Sequence, residues 1–192
     1  MELILASNSP RRREILTENG YTFKVIPSSY EEKERIIDPI ELAKAYSFNK
    51  AKDVFDKILD KKNSVVLGSD TVVVLDGKVL GKPKDEDEAF EMLKSLSNKT
   101  HQVISGYAIL SQKFSLVDQD ITEVTFNKLS DELIKDYIKN KKPLDKAGAY
   151  GIQDGYPLVK VYKGSYNNIV GLPIEKISKV LNGLFNIGEE NG

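Results

Sequence analysis

Arginine is rare in this chain of 192 residues, four against 24 lysines, yet three of the four stand together as Arg11, Arg12 and Arg13. A surface that needed only charge would use lysine, as the rest of the chain does, whereas the planar guanidinium fork matches two phosphate oxygens at once. The three follow Ser7-Asn8-Ser9-Pro10, where proline opens a helix whose unpaired N–H groups and dipole favour an anion, and Ser7 and Ser9 add hydroxyl donors. An ordinary capped helix with solvated arginines fits the same pattern. Asp70 is a second candidate, because a carboxylate between VVLGS and TVVVL is costly to bury without a metal, a lysine or hydrogen-bond donors; the alternative is a turn or bulge aspartate held by backbone N–H groups. Lys50 and Lys82 can neutralise phosphate or can simply be solvated. Glu31-Glu32 and the run Asp85 to Glu88 offer oxygens to Mg²⁺, a hard cation bound by few carboxylates plus substrate phosphates, although acidic runs also mark solvated faces and helix starts.

Composition removes many other chemistries. With no cysteine, thiol nucleophiles, disulfides and Cys-ligated zinc are out, and with one histidine a two-His zinc site is impossible. A Ser-His-Asp triad would need His101, yet no GxSxG supplies its serine. His101 is expected to be a structural hydrogen-bonder. No GxxxxGK[ST] is present, which excludes a P-loop enzyme. The net charge of −1 provides no global field for nucleic acid, so any anion site is local. The apolar run in MELILASNSPRRR is too short and precedes its basic residues, so no secretory leader is expected, and no 18-residue apolar stretch suggests a membrane span. A cytoplasmic protein without a membrane or nucleic-acid partner is expected.

The elements that must position these residues are legible in outline. Residues 2–6 read as a buried strand leading to a helix from Pro10 to about Gly20. Residues 21–27 are β-rich, 28–38 a polar loop, and Asp38-Pro39 starts a long helix with Lys50 among its inner positions. SVVLGSD and TVVVL read as one strand broken near Asp70, followed by a hairpin at Asp76-Gly77. Asp85 can cap a helix to about Ser97; THQVISGYAILSQ and SLVDQDITEVTFN suit antiparallel pairing. A short helix near residues 131–139, a glycine-rich LDKAGAYGIQDG, a strand in PLVKVYKGSY and an amphipathic helix in LPIEKISKVLNGL complete the chain. With no repeat or linker, residues 1–192 are expected to form one domain, α/β with a mixed sheet.

Together, LILASNSPRRREIL, GSDTVVVLDGKVLGKPKDEDEAFEML, LSNKTHQVISG, LDKAGAYGIQ and GSYNNIVGLPI closely resemble the Maf family of nucleotide pyrophosphatases, also called septum formation inhibitors, over about residues 3–174. The resemblance implies a fold like inosine triphosphate pyrophosphatase, an elongated mixed sheet flanked by helices around a central cleft, and cleavage of a nucleoside triphosphate to monophosphate and pyrophosphate. It makes Asp70 the catalytic proton acceptor, suggests a homodimer, and through AGAYGIQ points to the branch acting on dTTP and UTP, with Arg11, Thr71 and Gln153 at the positions tied to that choice. Asn98 departs from the family's usual Gly after Leu-Ser, and Ser105 stands where Thr is common.

The expected mechanism places the triphosphate on Arg11, Arg12 and the helix N-terminus with Ser7 and Ser9. Lys50 and Lys82 neutralise it, and a divalent cation, Mg²⁺ or Mn²⁺, sits on Glu32, Asp70 and Asp85. Asp70 is either base or metal ligand. The Gln153 amide has the donor and acceptor that complement O4 and N3–H of uracil or thymine, though an amide can flip, and Thr71 adds a hydroxyl contact or is merely a strand residue. Such an enzyme would limit incorporation of unwanted nucleotides, with a possible link to division arrest. Two rivals stand beside it: a non-catalytic septation regulator binding a partner through Arg11 to Arg13, and a pyrophosphatase for non-canonical purine triphosphates.

Overall fold

The computed structural model describes residues 1–190. β1 (Glu2–Leu5) runs parallel to β2 (Phe23–Val25) on one side and to β3 (Ser64–Leu75) on the other, with Leu3 opposite both Phe23 and Val65. A strand covered on both faces has no solvent side to alternate toward, which is why Leu3, Ile4 and Leu5 are consecutive, apolar and all buried. After β3 the chain turns at Asp76 and Gly77, both at positive φ (50° and 77°), into the antiparallel β4 (Lys78–Leu80). Two successive positive-φ residues are what a two-residue hairpin of this kind requires, and Asp-Gly meets it. β5 (Thr100–Leu110), β6 (Ser115–Phe126) and β7 (Val159–Lys163) complete a seven-stranded mixed sheet in the order β2-β1-β3-β5-β6-β7, with β4 on β3. β6 and β7 are antiparallel.

β3 corrects one expectation, for it is not broken near Asp70: Ser64 to Leu75 is one continuous strand. Its Val residues favour extended backbone, and the Asp70 carboxylate is met by a side chain from a helix, so no bulge is needed to supply backbone donors. The helices begin where the sequence signals them. α1 (Pro10–Glu18) is capped by Ser9; α2 (Pro39–Lys57) by Asp38, whose Oδ1 accepts from the N–H groups of Ile40 and Glu41 at 2.8 and 3.1 Å. In α3 (Glu86–Leu96) the Asp85 carboxylate accepts from Glu88 N–H at 2.8 Å while the Glu88 carboxylate accepts from Lys84 N–H at 2.7 Å, a reciprocal cap. α4 (Asp131–Lys141) is capped by Ser130 and is followed by three short 3₁₀ turns through residue 154. α5 (Tyr166–Val170), inside GSYNNIV, is too short to show a period in the sequence, and α6 (Ile174–Glu190) ends the described chain. Among the described residues no helix is long and apolar enough to cross a membrane.

The chain divides into two compact units, one of Met1–Asp70, Ser105–Asp120 and the segment from Gly171 onward, the other of Thr71–Ile104 and Ile121–Val170. In the first, α2 lies directly on the sheet: a Cβ at Gly68 would stand 2.4 Å from the Ser47 carbonyl oxygen, and one at Gly106 2.3 Å from that of Ala43. Those two glycines let helix and strand backbones touch, with Ala51, Val54, Val66 and Ala108 packed alongside. In the second unit the core joins Leu93 and Leu96 of α3, Ile134 and Tyr137 of α4, and Val124 and Phe126 of β6. Each such side chain, once fully buried, contributes about 1.5–3 kcal/mol. Asn98 has φ 57°, the left-handed conformation that explains why the resemblance places glycine there; asparagine is among the few other residues that enter it readily.

Candidate active site

In the first unit the start of α1 is held from within. The Arg12 guanidinium donates from Nε to the Gly171 carbonyl at 2.8 Å and from Nη1 to Ser7 Oγ at 3.1 Å, and Ser7 Oγ also accepts from Ser9 N–H at 3.2 Å. Ser9 Oγ accepts from Arg12 N–H. Both serine oxygens thus take N–H bonds through lone pairs, and their O–H groups are donors by nature. Arg13 donates to the Asn8 carbonyl oxygen at 3.1 Å and to its side-chain oxygen. α2, α3, α4 and α6 each carry acidic residues in their first turn, where the dipole welcomes them, whereas α1 has none and carries three arginines instead. Cations at a helix N-terminus cost stability unless an anion joins them. Desolvation pulls the Arg12 guanidinium below its ordinary value, the Asp70 charge opposes that shift and the Arg11 charge adds to it, so Arg11, Arg12 and Asp70 act on one another.

Asp70 is 9% exposed, and its Oδ1 accepts from Lys50 Nζ of α2 at 2.7 Å. The same ammonium lies 2.8 Å from Glu32 Oε1 and over the Tyr46 ring at 6.0 Å. The turn-or-bulge alternative for Asp70 is therefore replaced by a strand carboxylate with a lysine partner. Behind this pair Asn49 Nδ2 donates to Glu34 Oε1 at 2.8 Å and to Tyr30 Oη at 3.2 Å, and the Tyr30 phenol donates to Glu34. Desolvation raises the Tyr46 phenol above its usual range, and the charges of Glu32, Glu34 and Asp70 push in the same direction, which marks this corner as electronegative.

Among the described residues no group of three or more His, Asp and Glu side chains is gathered as a metal cage. The fit to a divalent cation rests on two carboxylates, Glu32 and Asp70, whose oxygens already converge on one positive centre, the Lys50 ammonium. Two carboxylates with phosphate oxygens and water are a normal Mg²⁺ environment. Asp85 caps α3 in the second unit.

The second unit holds Thr71, Lys82 and Gln153. Thr71, half-buried, follows Asp70 on β3; Lys82 is exposed just after Gly81, whose carbonyl accepts from Gly148 N–H at 3.1 Å. That bond ties the Lys82 segment to the glycine-rich loop. Gln153 is exposed in the 3₁₀ turn Ile152–Asp154. His101, 2% exposed, lies with Nε2 2.7 Å from Tyr150 Oη and edge-on to Phe126, the structural role expected for it, and burial lowers it to about 4. The Tyr137 phenol of α4 donates to Asp154 Oδ2 at 2.6 Å, a pairing not legible in the sequence, since a tyrosine on the inner stripe of an amphipathic helix looks like core and nothing in its spacing announces a polar partner.

Residues 2–184 match the family described as Maf-like protein. A dTTP/UTP pyrophosphatase from Alkaliphilus oremlandii (strain OhILAs) is 48% identical over 190 residues, 97% of each chain, and one from Thermococcus kodakarensis (strain ATCC BAA-918 / JCM 12380 / KOD1) is 47% identical over 179 residues, covering 93% of this chain and 94% of the relative. A crystal structure titled nucleoside-triphosphatase / dITP/XTP pyrophosphatase from Mycobacterium abscessus aligns with 98% of both chains at 15% identity and a TM-score of 0.44.

Proposed function

The chain belongs to the Maf-like protein family, and from that premise we propose that it is a nucleoside triphosphate pyrophosphatase whose substrates are dTTP and UTP. The observation that carries the reading is the buried Asp70 carboxylate, held by a lysine it shares with Glu32 and acting electrostatically on Arg12 at the arginine-rich start of α1. Arg11, Arg12 and the N-terminus of α1, with the Ser7 and Ser9 hydroxyls, bind triphosphate oxygens, and Lys50 and Lys82 neutralise them. Positioning and charge neutralisation are most of what phosphoryl chemistry asks of a protein. Glu32 and Asp70 would hold Mg²⁺ or Mn²⁺, which neutralises charge developing on the phosphates. Asp70 orients the attacking water and takes its proton at the carboxylate; the water oxygen bonds to the α-phosphorus, the bond from that phosphorus to the bridging oxygen breaks, and pyrophosphate leaves with the bridging pair. Thr71 and Gln153 contact the nucleoside, the Gln153 amide donating to O4 and accepting from N3–H of the pyrimidine.

The test is a nucleotide panel with Mg²⁺, read as pyrophosphate release. dTTP and UTP turn over well above CTP, ATP and GTP, and Asp70→Asn abolishes release while its circular dichroism spectrum stays that of wild type. Turnover retained by folded Asp70→Asn removes Asp70 from the mechanism. The family resemblance further supports a homodimer, which sedimentation velocity checks as a species of twice the 21.5 kDa chain mass.

A further inference from the structure

The loop that carries Gln153 is fixed by a buried phenol on α4. Tyr137 is 0% exposed, and its hydroxyl uses both of its capacities on the loop: it accepts from Gly151 N–H at 2.9 Å and donates to Asp154 Oδ2 at 2.6 Å. These partners flank Gln153 on either side in the chain. Burial and the Asp154 carboxylate both raise the phenol well above its usual range, so it stays protonated and able to donate. The same helix holds the far end of the loop, because Tyr156 Oη donates to Asp136 Oδ2 at 2.9 Å and accepts from Asn140 Nδ2 at 3.0 Å, with the Tyr156 ring edge-on to Tyr137 at 5.0 Å. Tyr150, at the near end, meets His101.

The Gln153 side chain folds back over this clamp. A Cβ at Gly151 would stand 2.9 Å from Asp154 Oδ2, 3.0 Å from Lys146 Cε and 3.1 Å from Gln153 Nε2, so the amide lies over the backbone unit whose N–H the phenol binds. An amide can present its oxygen and nitrogen in either sense, and a base contact is selective only if the turn beneath it is fixed.

We propose that Tyr137 is a specificity-positioning residue: by joining Gly151 N–H to the Asp154 carboxylate it locks the 3₁₀ turn Ile152–Asp154, so that base preference depends on a hydroxyl that need not touch the substrate. The proposal rests on the reading of Gln153 as the base contact. Removing the hydroxyl unlocks the turn and lets the amide meet more than one base.

The experiment measures kcat and KM for dTTP, UTP, CTP and GTP on the full chain as wild type, Tyr137→Phe, Gln153→Ala and the double variant. Tyr137→Phe lowers the dTTP to CTP ratio of kcat/KM about tenfold, chiefly through KM for dTTP, a factor that corresponds to one modest polar contact. The double variant is no less selective than Gln153→Ala alone. Because Tyr137 is a core side chain, Asp154→Ala, which leaves the phenol in place and removes its acceptor from a half-buried turn, is expected to lower the same ratio. Asp154→Asn, whose amide oxygen can still accept from the phenol, restores it, a rescue that a merely structural role would not show. If Tyr137→Phe, or Asp154→Ala should the former not fold, keeps the wild-type ratio or slows all nucleotides alike while Gln153→Ala loses preference, the clamp is wrong and the role of Gln153 stands. If Gln153→Ala keeps the full preference, both fail.

Discussion

A carboxylate and a histidine, each buried on a strand, show how surroundings divide one chain's polar residues between chemistry and architecture. Asp70 keeps an ammonium partner at 2.7 Å, whereas His101 has only a phenol at Nε2 and no partner for Nδ1, so burial favours the neutral form of the imidazole. Its folded value of about 4 lies below the ordinary 6.5, so between those values the unfolded chain binds a proton that the folded chain does not, and stability is present above about 6.5 and lost as pH falls toward 4. A shift of that size corresponds to about 3 kcal/mol. Urea unfolding of His101→Phe is expected to show a smaller loss of stability between pH 7 and 4 than wild type by about that amount, whatever the variant's stability at neutral pH; an unchanged loss removes His101 as the group responsible. The arginine cluster and the exceptional Asp70 were visible in the sequence because their types clash with their settings. Tyr137 was not, because a buried phenol fits its helix as core, and its polar role appears only once residues 151 and 154 are brought to it.

Caps, hairpin and helix starts were legible at the scale of elements because each rests on local chemistry: Asp38 and Asp85 as acceptors for unpaired N–H groups, Asp76-Gly77 as the positive-φ pair. The unbroken β3 was not legible, since the partner that makes Asp70 tolerable there arrives from Lys50 of α2, 20 residues earlier. The contact between α2 and the sheet was equally hidden, because Gly68 and Gly106 read as strand weaknesses until the helix backbone is seen against them. This contact is what delivers Lys50 to Asp70. Gly68→Ala therefore has two expected consequences: thermal denaturation reports a loss of about 1–3 kcal/mol from overpacking, and pyrophosphate release falls as Lys50 is moved from Asp70. Gly183→Ala, in α6 with no atom within 4 Å of the added carbon, is the control and raises stability by about 0.5–1 kcal/mol without changing turnover. Equal behaviour of the two variants rules out close backbone approach as the reason for Gly68.

Across the whole molecule a net charge of −1 leaves recognition of a polyanion to a few placed cations. Asp70 and Thr71 are consecutive on β3, the first proposed to direct the attacking water and the second to contact the nucleoside. The phosphate bonded to the nucleoside is the α-phosphate. Attack there, rather than at the β- or γ-phosphorus, is the outcome expected of the proposed reaction, with the water oxygen and the α-phosphorus about 3–3.5 Å apart before they react. Attack at the γ-phosphorus would yield a diphosphate and inorganic phosphate, but attack at the β-phosphorus would yield the same monophosphate and pyrophosphate as attack at the α-phosphorus, so product identity alone does not locate the cut. Hydrolysis of dTTP in water enriched in ¹⁸O separates them. The heavy oxygen is expected in thymidine monophosphate and not in pyrophosphate, read by mass spectrometry of both products after one turnover. Label in pyrophosphate would place the attacked phosphorus one position farther from the nucleoside and detach Asp70 from the α-phosphate, even with the substrate preference intact.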